Sequence, residues 1–150
     1  KASHMMDLQA ALGLHQLRGL ASRTARRESV WRIYDEGLAD LPLVRPVPVP
    51  EGDVHARHLY SVLVTPETGW TRDALIAHLA KAGVATSVHF RALHLHPYYQ
   101  ERYRLQRGMF PEAERVSDQV VSLPLGGGMS DDEAWIVVEA LRRAISVRTR

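Results

Sequence analysis

The sequence predicts an α/β fold: a small sheet of about three strands covered by helices, preceded by a long N-terminal helix. Three observations carry this. The stretch from Met6 to about Leu41 has no proline and repeats apolar residues at helical spacing. Short β-branched runs at Arg57 to Val64, Val84 to Val88 and Val120 to Leu123 alternate with helical segments. Cap and turn residues stand at the junctions.

In the first element, Leu8, Leu12, Gln16, Leu17 and Leu20 share one helical face. Val30, Ile33, Tyr34, Gly37, Leu38 and Leu41 continue the stripe. The intervening Ser22 to Glu28 is polar. One long helix, or two joined near Gly19 to Ser22, both fit residues 1–41. A single helix would run roughly 50 Å at about 1.5 Å per residue, longer than a domain of this size is wide. Part of it is therefore expected to pack on something outside the chain. Arg23, Arg26 and Arg27 read as a solvated face, with pairing to acids of another domain or subunit as the alternative.

Residues 42–56 form a connector. Pro42, Pro46, Pro48 and Pro50 exclude helix and sheet interior and favour an extended surface path. Residues 57–147 read as the α/β core. Arg57 to Val64 is the first strand, and Pro66 to Gly69 supply a turn. Thr71 caps a helix with Asp73 in its first turn and Leu75, Ile76 and Leu79 on its apolar stripe. Gly83 stands at its left-handed end, and Val84 to Val88 is the second strand. His89 to Tyr103 is irregular. Pro111 opens a short helix to about Gln119. Val120 to Leu123 is the third strand, stopped by Pro124. Gly126 to Gly128 form a turn. Ser130 and Glu133 make a capping box for a last helix with Trp135, Val138, Leu141 and Ile145 on one face.

Composition narrows the function. The 150 residues carry nineteen basic and seventeen acidic side chains, a net charge of +2, eight histidines and no cysteine. Near-neutral charge argues against a dedicated nucleic-acid binder. The absence of cysteine removes disulfides, thiol nucleophiles and Cys-based zinc sites, and fits a reducing, cytoplasmic setting. No apolar run approaches the roughly 20 residues of a membrane span, and no signal peptide is expected ahead of the first helix. Lys1 and Lys81 are the only amines available to lysine chemistry.

His89, His94 and His96 cluster within eight residues. They are open to three readings: partly buried structural histidines, an anion-binding or proton-transfer group beside Arg91 and Tyr98, or metal ligands. The spacing H-x4-H-x-H is not a common zinc pattern, and no carboxylate lies between them, so no metal is assigned. The triple glycine lacks a following Gly-Lys-Ser/Thr and precedes Asp131 and Asp132, which would repel phosphate. No catalytic residue is assigned within the chain.

Several segments together resemble one family: MMDLQAALGLHQL, HLYSVLV, GWTRDALIAHLAKAGVATSVHFRALHLHPYY and FPEAERVSDQVVSLPLGGGMSDDEAWIVVEALRRA. In order and spacing they resemble the C-terminal part of DegT/StrS-type sugar aminotransferases, over about residues 5 to 146. The resemblance implies the small C-terminal domain of a fold type I, pyridoxal-phosphate-dependent enzyme that aminates nucleotide-linked keto sugars. It implies that a separate N-terminal domain holds the cofactor and its Schiff-base lysine, so the chain alone would be inactive and would bind no cofactor. It makes His89 and His94, then Arg91 and Tyr98, the substrate-side candidates. The family tends to carry an aromatic–Asn pair before the Met-x-Asp-Leu-Gln helix, reaching the partner subunit's cofactor phosphate; Ser3 and His4 stand at that place here. A homodimer or other self-association follows as an expectation. The alternative is a non-catalytic dimerisation or partner-docking module.

Overall fold

A computed structural model describes residues 5–148. The N-terminal stretch forms two helices, α1 (Asp7–Arg18) and α2 (Leu20–Gly37), which meet at Gly19. The junction is almost continuous: the Arg23 amide still donates to the Gly19 carbonyl at 3.2 Å. Two strands follow, β1 (Leu43–Val44) and β2 (Tyr60–Val64), and then helix α3 (Arg72–Lys81). After a 3₁₀ turn at Leu93–Leu95 come α4 (Pro97–Tyr103), α5 (Pro111–Gln119), β3 (Val120–Leu123) and α6 (Asp131–Arg148).

The sheet is antiparallel in the order β1-β2-β3. Tyr60 pairs with Leu123, and Val62 with Val121. These residues point to one face and are buried against α2 and α6 with Val30, Tyr34, Leu38, Val138 and Leu141. Residues directly opposite in an antiparallel pair share a face, so the pair Ser61–Ser122 lies on the other side of the sheet. That alternation places the candidate site.

The expected caps are present. Thr71 Oγ1 accepts from the Ala74 amide, and Glu133 and Ser130 exchange hydrogen bonds as a capping box. Gly83 has φ +79°, the left-handed conformation that suits glycine after a helix. Pro111 opens α5.

Four expectations need correction. Val84 to Val88 is not a strand. Only Ser87 bridges to Ser122, through backbone hydrogen bonds of 2.8 and 3.1 Å. Its β-branched composition suits any extended, half-buried segment, and one bridge satisfies it. The first strand begins at Tyr60, because Arg57 adopts φ +48°, incompatible with a strand. The connector contributes the two-residue edge strand β1, which proline permits at a sheet edge. Trp135 is 39% exposed rather than on the buried stripe of α6, whose inner face is completed by Ala134, Val137 and Ala144.

The arginines of α2 also differ from a solvated face. Arg26 donates to the Met129 carbonyl and pairs with Asp131 at 2.6 Å. Arg27 donates to the Ala56 carbonyl at 3.2 Å, and Arg23 to the Gln16 carbonyl. They tie α2 to the turn before α6, to the connector and back to α1. Long guanidinium side chains reach across element boundaries that periodicity alone does not reveal.

α1 buries none of its residues. Leu8, Leu12 and Leu17 are 69%, 58% and 66% exposed, and Met5, Met6, Leu14 and Leu20 are exposed with them.

Candidate functional site

The site grows from how α5 meets the loop after Ser87. An amphipathic helix normally turns apolar residues inward. In α5 the buried residues are Glu114 and Ser117, three apart on one face, while Val116 is left partly exposed. Buried polar groups need partners, and here they find them in the irregular segment.

Three anchors result. Ser117 Oγ accepts from the Ala92 amide at 2.8 Å. Glu114 Oε1 is 2.9 Å from His94 Nε2 and also accepts from the amides of Gly108 (2.7 Å) and Phe110 (3.3 Å). His89 Nδ1 lies 2.9 Å from Ser122 Oγ on the sheet. Arg72, on α3, donates to the Ser117 carbonyl and braces the end of α5.

Burial pushes the Glu114 carboxyl upward, but the hydrogen bonds from His94, Gly108 and Phe110 outweigh it and hold it below the ordinary carboxylate value. Arg107 stands 3.8 Å from its other oxygen.

Between these anchors the chain presents an open face. Phe90 is 74% exposed, with its ring edge-on to His89 at 4.8 Å. Arg91 is exposed and makes no hydrogen bond or ion pair to a described residue. A free guanidinium fork two residues along from an imidazole can hold a phosphate or carboxylate oxygen.

The histidines singled out by the sequence therefore separate. His89 and Arg91 lie together on the open loop. His94 is 6% exposed, bonded to Glu114 and tilted against Phe110 at 4.8 Å, behind that loop. Tyr98 is exposed on α4, edge-on to Tyr99. His96 is exposed as the N-cap of α4. Ser3 and His4 lie outside the described residues. Among the described residues no group of three or more His, Cys, Asp or Glu is placed to hold a metal, and no helix is long and apolar enough to cross a membrane.

Sequence reading missed Ser61, Ser122, Glu114 and Ser117. For the last two a signal existed: polar residues three apart at the positions of α5 where an inward apolar stripe belongs. The serines carry no signal until strand register is known.

Lys81, the lysine among the described residues, is exposed in the last turn of α3. An imine-forming lysine needs a desolvated pocket that lowers its pKa. Lys81 does not fit pyridoxal phosphate in that role, and no chemical step is assigned to it.

A family model described as the DegT/DnrJ/EryC1/StrS aminotransferase family matches residues 1–142. The chain belongs to this family. The spore coat polysaccharide biosynthesis protein SpsC of Bacillus subtilis is 41% identical over 142 residues, which are 93% of this chain and 36% of SpsC. The crystal structure of the aminotransferase TlmJ from Streptoalloteichus hindustanus superposes with a TM-score of 0.86 at 30% identity, covering 100% of this chain and 39% of TlmJ. DesV of S. venezuelae, solved in complex with a ketimine intermediate, gives 0.84 at 33% identity, covering 97% and 38%. The chain thus spans little more than a third of the length of these relatives. The part of TlmJ and DesV that the chain matches has the small antiparallel sheet with helices over it described above.

Proposed function

We propose that this chain is the C-terminal domain of a pyridoxal-phosphate-dependent sugar aminotransferase whose cofactor is held by a separate N-terminal domain. The observation that carries the reading is the family match over residues 1–142, set beside coverage of only 36% to 39% of SpsC, TlmJ and DesV. The exposed leucines of α1 support it, because an apolar face of this kind is a docking surface. In this reading the N-terminal domain, or a second copy in a homodimer, covers α1. Residues 1–41 are the docking helix, 42–56 the connector and 57–147 the domain core.

The acceptor in this reading is a nucleotide-linked keto sugar. His89 and Arg91 face it with a donor and a fixed positive charge, Tyr98 flanks it, and His94 holds their loop from behind through Glu114. Pyridoxal phosphate would supply the electron sink for amino-group transfer. Ser3 and His4 are the candidates for a cross-subunit contact to its phosphate. The assignment is cytoplasmic, with no nucleic-acid or membrane partner.

The test is the coding sequence upstream of Lys1, followed by an assay of the full-length product. An upstream cofactor domain with its own lysine, and glutamate-dependent amination of a nucleotide-linked keto sugar, are the expected results. Transamination by the 150-residue chain alone, abolished by Lys81→Ala, would overturn the reading.

A further inference from the structure

The face of the sheet opposite the α2–α6 core carries a short chain of polar groups. Ser61 on β2 and Ser122 on β3 are register partners, and their hydroxyl oxygens are 2.8 Å apart. Ser122 is 2% exposed, and its oxygen lies 2.9 Å from His89 Nδ1. Ser87 Oγ is 3.4 Å from the same nitrogen. Two of the three contacts join residues far apart in sequence, and nothing in the family match assigns the serines a role.

Each hydroxyl has one proton, and a neutral imidazole has one N–H. If Nδ1 carried the ring proton, it would donate to Ser122, Ser122 would donate to Ser61, and the Ser61 proton would have no acceptor among the described residues. In the opposite direction both of these hydroxyl protons are used, and the proton left over is the ring's own, on the loop rather than within the sheet. Ser61 donates to Ser122 Oγ, Ser122 donates to Nδ1, and the ring proton resides on Nε2. Nε2 lies across the ring from Nδ1, away from Ser122, and makes no hydrogen bond to a described residue.

We propose that Ser61 and Ser122 are positioning residues that fix His89 as its neutral Nε2–H tautomer, aimed as a hydrogen-bond donor at a ligand oxygen beside Arg91. Orientation by a partner on the other ring nitrogen is how proteins generally set which imidazole nitrogen is offered to a ligand. The ligand half of the proposal, a phosphate or sugar oxygen, rests on the substrate reading above; the tautomer half stands without it.

The experiment is a long-range ¹H–¹⁵N correlation spectrum of the imidazoles in the 150-residue chain, recorded well above the ordinary histidine titration range. In the wild type, His89 Nδ1 is expected at the shift of a bare nitrogen and Nε2 at that of a protonated one. Ser122→Ala should move both toward the averaged shifts of an exposed histidine such as His96. Ser61→Ala, which leaves Ser122 in place, should move them the same way by less. A protonated Nδ1 in the wild type, or an unchanged His89 signature in Ser122→Ala, overturns the tautomer assignment. If Ser122→Ala fails to fold by its amide spectrum, an unchanged signature in Ser61→Ala does so. Titrating the wild type with UDP-glucose should shift His89 Nε2–H and not that of His96. No shift, with the tautomer signature intact, overturns the ligand half alone.

Discussion

Glu114 Oε1 lies 2.9 Å from His94 Nε2 and takes two backbone amides, those of Gly108 and Phe110, on the same oxygen. One carboxylate from α5 thus ties the buried histidine of the candidate segment to the turn that precedes α5. Because its folded-state pKa is lowered, its stabilising contribution is complete above the ordinary value of 4.5 and is lost as pH falls below it. The urea midpoint of the wild type should fall from that point downward more steeply than that of Glu114→Gln. Equal slopes would show that the pair does not contribute to stability.

Gly37 is where α2 meets α6. A Cβ there would lie 2.6 Å from Val138 Cγ1 and 2.9 Å from Cγ2. Gly37→Ala should cost about 1–3 kcal/mol by overpacking. Adding Val138→Ala should recover part of that loss, so the two changes should be non-additive in a denaturant double-mutant cycle. Additive losses would mean that the helices do not meet at this point.

Trp31 is buried between Tyr60, edge-on at 4.7 Å, and the Arg57 guanidinium, 4.3 Å from its ring. Arg57 is held in turn by Glu28 at 2.6 Å. Trp31→Ala should destabilise the chain by about 3–5 kcal/mol in chemical unfolding. A loss below about 1 kcal/mol would place the ring outside the core.

Leu12 and Leu17 sit on the bare face of α1. Replacing both by Glu should leave unfolding free energy within about 0.5 kcal/mol of the wild type, as for other exposed positions. The same variant should sediment as a smaller species than the wild type at equal concentration. A monomeric wild type across the concentration range would argue against self-association through this face.

The capped helices were legible from residue pattern because their signals are local. Thr71, Gly83, Pro111 and the Ser130–Glu133 box each act within one helical turn. The apolar stripe of α1 was equally legible, and so was the expectation that something outside it must cover it. The extent of the sheet was not. Val84 to Val88 and Leu43 to Val44 differ little in strand character, yet the second pairs along β2 and the first touches β3 only at Ser87. Pairing depends on which edge the chain reaches, which short-range composition does not encode.

The candidate site divides the same way. Residue types and order placed His89, Arg91, His94 and Tyr98 in one segment and tied them to a family. They could not separate His94, turned inward to Glu114, from His89, held at the open edge by Ser122. That separation follows from the alternation of β2 and β3 and from a polar inner face on α5, which set which side of the sheet the loop crosses and which imidazole meets a carboxylate. Helix caps and stripes are written in contacts of three or four residues. The histidine roles depend on contacts such as His89 to Ser122, thirty-three residues apart, which exist only once the register of the sheet is formed.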